Sequence, residues 1–153
     1  MVLKMDIRGM IWEYPDTFVV GREQIRQYAK SVKSADPASM DEKAAAELGH
    51  SGLVAPLTFA SILAVMIQRD FFQNVDIGLK TLQIVQVDQK FKYYRPIVEG
   101  DAVRGTMYIE TVVERFGADI VTTRNVLVDQ NGEVVMESFT TLMAHEGENS
   151  ISA

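Results

Sequence analysis

The sequence predicts an α+β fold in which an antiparallel sheet curls around one long apolar helix. Three observations predict it. Residues Leu57 to Phe72 are apolar on nearly every side (Leu57, Phe59, Ile62, Leu63, Val65, Met66, Ile67, Phe71, Phe72). A helix with that distribution has to be surrounded by protein rather than packed on one face. Beyond Asn74 the texture changes to long segments rich in Val, Ile and Thr with near-alternation of apolar and polar residues, the period of a strand. Short turns join these segments, among them Gln130-Asn131-Gly132, where Asn-Gly suits the positive-φ turn of a hairpin.

The elements follow in chain order. Phe18-Val19-Val20 reads as a brief edge strand closed by Gly21. A helix is predicted over Arg22 to Lys33, because Ile25, Tyr28, Ala29 and Val32 fall at i, i+3, i+4 and i+7. Pro37 breaks it. Ser39-Met40-Asp41-Glu42 has the spacing of a capping box, with Ser39 as cap, and Gly49 terminates the short helix that follows. Pro56 suits the first turn of the central helix, predicted over Leu57 to Phe72. Strands are predicted over Gln83–Tyr94, Val103–Val113, Ile120–Val128 and Val134–Ala144. The polar, small residues His145 to Ala153 read as a disordered tail. One domain over 1–144 and a tail over 145–153 account for the chain, and the arrangement of sheet around helix is the hotdog fold.

Composition narrows the function. The chain has 153 residues, 15 Lys plus Arg against 21 Asp plus Glu, and a net charge of −6, which disfavours an extended phosphate-binding face for nucleic acid. With no cysteine, thiolate metal sites and a cysteine nucleophile are excluded, and the composition fits a cytoplasmic protein. The apolar stretch Leu57–Ile67 is far shorter than the ~20 residues that span a bilayer, so no membrane partner is expected. His50 and His145 lie too far apart for metal-ligand spacing, and no metal or other cofactor is expected.

Two runs carry a resemblance. Arg95-Pro96-Ile97-Val98-Glu99-Gly100-Asp101 resembles the strand-connecting turn of MaoC-like hydratases and dehydratases, and 47–59 resembles the approach to their central helix. Asp6–Trp12, Gly21–Gln24, Gln83–Gln89 and Glu114–Val121 resemble one subgroup: the non-catalytic subunits, most closely the C type, of the mycobacterial-type (3R)-hydroxyacyl-acyl-carrier-protein dehydratase. Dehydration of a 3-hydroxyacyl thioester needs a base for the α-proton, an acid for the departing hydroxide, and donors for the thioester oxygen. The resemblance implies that catalytic members hold these in a Gly-Asp-x-Asn-Pro-x-His run. With Pro37 on the motif proline, the Gly falls at Lys33, the Asp at Ser34, the Asn at Asp36 and the His at Ser39. A serine hydroxyl does not exchange a proton near neutral pH as imidazole does. The dyad is absent.

The resemblance therefore implies a non-catalytic subunit that pairs with a catalytic hotdog subunit and helps to wall the channel for a carrier-protein-linked substrate in type II fatty acid (mycolic acid) elongation. Leu57, Phe59, Leu63, Met66 and Ile67 are candidates for that wall, and are equally ordinary core residues. Arg22, Arg26, Lys30 and Lys33 recur at helical spacing within an arc of about 80°. Such a basic stripe would steer an acidic carrier protein, or is simply a solvated face. Two alternatives remain: a self-sufficient hotdog hydratase or thioesterase homodimer using Asp36, and an acyl-binding module without catalysis.

Overall fold

The computed structural model describes residues 1–80 and 82–147. The chain runs β1 (Ile11–Glu13), β2 (Phe18–Val19), α1 (Arg22–Ser31), a 3-10 turn (Pro37–Ser39), α2 (Glu42–Glu47), α3 (Ser61–Asn74), β3 (Leu82–Tyr93), β4 (Ala102–Arg115), β5 (Ala118–Val128) and β6 (Val134–Glu146). The sheet order is β1-β4-β5-β6-β3, with β2 added on β4, and every pairing is antiparallel. This is the hotdog arrangement that the alternation and the apolar helix predict. The four long strands lie where the sequence places them, to within two residues at each end.

Alternation decides which face is buried. Along β5, Val121, Thr123, Asn125 and Leu127 are buried and their neighbours are half-exposed, so one face packs inward and the other meets solvent. Val103, Gly105, Met107 and Ile109 do the same on β4. Against this inner face lie Leu63, Ala64, Ile67 and Phe71 of α3, spaced as one helical stripe. At Gly105 the approach is so close that an added Cβ would sit 2.3 Å from Ile67 Cδ1 and 3.2 Å from Leu127 Cδ2. Trp12 of β1 secures the other flank: its ring meets Phe71 edge-on at 5.7 Å, and its Nε1 donates to Asp70 Oδ2 at 2.8 Å. The N-terminal segment is tied down where Asp119 Oδ2 accepts the Val2 and Leu3 N–H groups, each at 2.8 Å.

Beyond the unpredicted β1 and the end of α1 at Ser31 rather than Lys33, three features differ from the sequence prediction. The central helix begins at Ser61, not Leu57. Residues 56–60 instead form a tight turn, with Phe59 N–H on Pro56 O and Ser61 N–H on Thr58 O. Tertiary hydrogen bonds described below hold that turn and outweigh local helix preference. Second, Ser39 does not cap α2; Asp41 does, accepting from Lys43 N–H at 3.1 Å, because the Ser39 hydroxyl is turned into the core. Third, β6 continues through Glu146, so His145, expected in a tail, pairs with Gln83 on β3. Residues 148–153 of the expected tail lie outside the described residues.

β3 is one edge of the sheet, opposite β1. It pairs with β6 on one side only, and Val85 and Val87 stand exposed on it. The closeness at Gly105 makes a sharp prediction: Gly105→Val should destabilise the fold by about 1–3 kcal/mol, read as a lower urea midpoint with an unchanged slope.

Candidate functional site

The positions matched to the catalytic run are built from two chain-local devices. At the end of α1, Lys33 adopts a left-handed conformation (φ 56). Its N–H bonds Lys30 O at 3.1 Å, and the next N–H, that of Ser34, bonds Ala29 O at 2.8 Å. This pair of bonds is a Schellman cap, whose left-handed residue is most often glycine. Ser34 is therefore placed by backbone geometry. The second device is Asp36, whose Oδ1 accepts the Ala38 N–H at 3.0 Å and so caps the 3-10 turn that begins at Pro37.

Ser39, which the resemblance matches to the histidine, is 1% exposed, and its hydroxyl donates to Val54 O at 2.6 Å. That bond joins the turn to the segment leading into α3, alongside Val54 N–H on Ala38 O at 2.9 Å. Ser39 is a structural clip, directed away from solvent. Ser34 instead faces an open groove of about 660 Å³, shared with Val32, Asp36, Leu57, Thr58 and Tyr93.

Two tyrosines brace the turn on the groove floor. Tyr28 Oη and Thr58 Oγ1 lie 2.6 Å apart, and Tyr93 Oη donates to Leu57 O at 2.7 Å. Burial, helped by the nearby Tyr28, pushes the Tyr93 phenol above its ordinary pKa, so it stays a neutral donor across the physiological range. Phe59, the next residue but one, is gripped by edge-on contacts with Tyr28 (5.5 Å) and Phe18 (6.2 Å). These side-chain bonds fix 57–60 as a turn and delay the helix to Ser61.

Arg95 stiffens the far wall. Its guanidinium forks onto Asp101 (2.8 and 3.0 Å) and also reaches Asp129 Oδ2 (3.0 Å) and Pro96 O (2.8 Å). Both carboxylates are buried, and each also accepts backbone N–H groups, Val98 on Asp101 and Asn131 and Glu133 on Asp129. One cation thus joins the end of β3, the 95–101 turn and the β5–β6 hairpin. Arg95 lines the groove, yet its terminal nitrogens are committed inward, which leaves it a poor partner for a bound anion.

The sequence candidates separate accordingly. Of the proposed channel residues, Phe59, Leu63 and Ile67 are buried core and Met66 is half-buried. Leu57 alone among them lines the groove, 71% exposed. In the basic stripe, Arg22 pairs with Glu42; Arg26 pairs with Glu23 at 2.6 Å and donates to Met40 O at 3.1 Å. Lys33 leaves the helical arc at the cap. The stripe is therefore half neutralised and no longer a single row, and Lys30 and Lys33 are its members without an ion pair among the described residues. The groove walls Val32, Tyr93 and Tyr94 escaped the sequence reading, because no periodicity links a helix C-terminus to the end of a strand some 60 residues later. Among the described residues no metal-ligating cluster forms, and no helix is long and apolar enough to cross a membrane.

Residues 9–138 match the family model "FAS1-like, dehydratase domain region". The chain belongs to this FAS1-like, MaoC-like dehydratase family. It is 57% identical over 150 residues to the UPF0336 protein Rv0637 of Mycobacterium tuberculosis, covering 98% of this chain and 90% of that one. A second UPF0336 protein of that organism, Rv0635, is 42% identical over 149 residues, covering 97% of this chain and 94% of that one. A chain in the crystal structure of the C-terminally truncated HadBC (3R-hydroxyacyl-ACP dehydratase) complex of M. tuberculosis is 57% identical, with a TM-score of 0.87 over 92% of this chain and 99% of that one. The R-hydratase PhaJ1 of Pseudomonas aeruginosa, 17% identical with a TM-score of 0.69 over 94% of this chain and 84% of that one, shares the dehydratase fold.

Two outcomes follow from the local chemistry. Lys33→Gly relieves the left-handed strain and should stabilise this family member by about 1 kcal/mol in chemical denaturation. Arg95→Gln strands two buried carboxylates and should cost about 3 kcal/mol. Arg95 holds the Asp129 carboxyl below its ordinary value. This contribution is therefore complete above the unfolded carboxylate pKa of about 4 and is lost as pH falls through the lower folded value. Arg95→Gln should accordingly flatten the fall in stability between neutral and acid pH, measured as the urea midpoint against pH.

Proposed function

We propose that this chain is the non-catalytic subunit of a heteromeric (3R)-3-hydroxyacyl-acyl-carrier-protein dehydratase of type II fatty acid (mycolic acid) elongation. The observation that carries the reading is the chemistry at the dyad positions Ser34 and Ser39 and at the neighbouring Asp36. The Ser39 hydroxyl is buried on Val54 O, Asp36 caps a turn, and Ser34 offers only a hydroxyl. No group there has both the position and the acidity to take an α-proton or to protonate a departing hydroxide. The same chemistry weighs against a self-sufficient enzyme built on Asp36.

The partner's place is supported by the sheet edge. β3 presents twelve residues of strand with one side unpaired, and exposed Val85 and Val87 on it favour cover by another chain. The crystallised relative was solved as a two-component dehydratase complex, and a catalytic hotdog subunit continuing the sheet across β3 is the arrangement proposed here. It would bring the Asp and His that this chain lacks, in the cytoplasm, with no cofactor. An acidic carrier protein would meet Lys30 and Lys33.

Purified alone, the chain should show no dehydration of 3-hydroxyacyl thioesters; mixed with a catalytic hotdog subunit it should raise that subunit's turnover at least tenfold, the scale of an assembled channel. Turnover by the isolated chain that Asp36→Ala abolishes would overturn the proposal. Val85→Lys with Val87→Lys should abolish co-purification of the pair while leaving the chain's own melting temperature within a few degrees, since both side chains are exposed on the edge strand.

A further inference from the structure

The groove has lost its proton-transfer groups without being filled. Ser39 is withdrawn into the core, so the side chain at the histidine position does not block it. What remains is about 660 Å³ of open space with apolar walls, among which Leu57 (71%) and Val32 (46%) are well exposed. Solvent-facing apolar side chains gathered around a concavity are unfavourable unless something covers them. The polar groups in the groove lining include the Ser34 hydroxyl, the Thr58 hydroxyl, which is shared with Tyr28, and the Asp36 carboxylate, whose Oδ1 is taken by the Ala38 N–H.

The mouth has a different character. Lys33 lies between Val32 and Ser34, which both line the groove; it is exposed and carries no ion pair among the described residues. On a chain of net charge −6, an unpaired cation beside an apolar groove selects for an anionic head on an uncharged arm. Arg95, the other cation on the wall, is saturated by Asp101 and Asp129. Lys33 is also held in a conformation that favours glycine, so its charge is kept where the backbone would be better served without it.

We infer that this groove is a ligand site in its own right: it takes the alkyl and amide arm of an acyl thioester, with a phosphate at Lys33, and holds it unreacted. An assembled enzyme would then carry one reacting site and one silent site. Saturation of the silent site by substrate or product would report the supply of acyl chains to the pair. The identity of the thioester rests on the dehydratase reading, but occupancy of the groove does not require the partner.

The test titrates the isolated full chain by calorimetry with octanoyl-pantetheine, octanoyl-CoA and octanoate. One molecule of octanoyl-pantetheine should bind saturably, and octanoyl-CoA about three- to fivefold more tightly, the scale of one exposed ion pair. Lys33→Gly, whose backbone suits the cap, should remove that advantage and leave octanoyl-pantetheine binding unchanged. Leu57→Glu and Val32→Trp, both at exposed positions, should each weaken both thioesters at least tenfold by placing charge or bulk in the groove, and 3-hydroxyoctanoyl-CoA should be recovered unaltered. Absence of saturable binding, binding indifferent to Leu57→Glu and Val32→Trp, or octanoate binding as tightly as octanoyl-pantetheine would overturn the inference. Failure of the mixed subunits to gain turnover would sink the partner reading and leave these titrations untouched.

Discussion

The rest of the structure depends on burying α3. A helix whose Leu63, Ile67 and Phe71 are almost wholly removed from water, with Ala64 between them, needs apolar surface along its length. The sheet supplies that surface by bending: β4 gives up a side chain at Gly105 so that Ile67 can rest on backbone, and β1 folds over so that Trp12 closes on Phe71 and Asp70. The bulges in β4 and in β3, where the register slips at Ile109/Thr111 and Gln86/Asp88, let long strands curve. The free edge at β3 is the consequence of an open sheet wrapped around one helix.

The groove sits beside this core because the chain must enter α3 from outside. The turn at 56–60 delivers Phe59 into the core and leaves Leu57 at the surface, held by Tyr28 from α1 and Tyr93 from the end of β3. Around it, three charged groups have local duties: Asp36 caps, Arg95 ties three loops, and Arg26 holds Met40. The shape is made by backbone bonds and buried hydroxyls, and the Ser39 hydroxyl on Val54 O is one of them.

What was legible in the sequence was what repeats. Alternation located β3 to β6, helical spacing located α1, Gly49 marked the end of α2, and Asn131-Gly132 marked the last hairpin, with Gly132 at φ 79. Ser34 could be singled out from its local spacing to Pro37, and it does line the groove. Illegible were features that depend on one long-range bond. Ser39 looked like a helix cap because Glu42 follows at the right distance, but the Val54 carbonyl claims its hydroxyl. Leu57 looked like the first turn of a helix, but Tyr93 claims its carbonyl. The basic stripe looked continuous on a helical wheel, but Glu42 and Glu23 sit against two of its members and the cap turns Lys33 out of the row.

The sequence by itself determined the α+β class, the four long strands in their order and the buried apolar stripe of one helix. Each is a matter of period or of residue type, and neither needs a distant contact to be read. Only the tertiary structure decided which apolar side chains are core and which face the groove, which cations remain unpaired, and where the central helix begins. Those depend on hydrogen bonds and ion pairs between segments far apart in the chain, and a single such bond at a helix end outweighs the fraction of a kcal/mol by which local propensity differs.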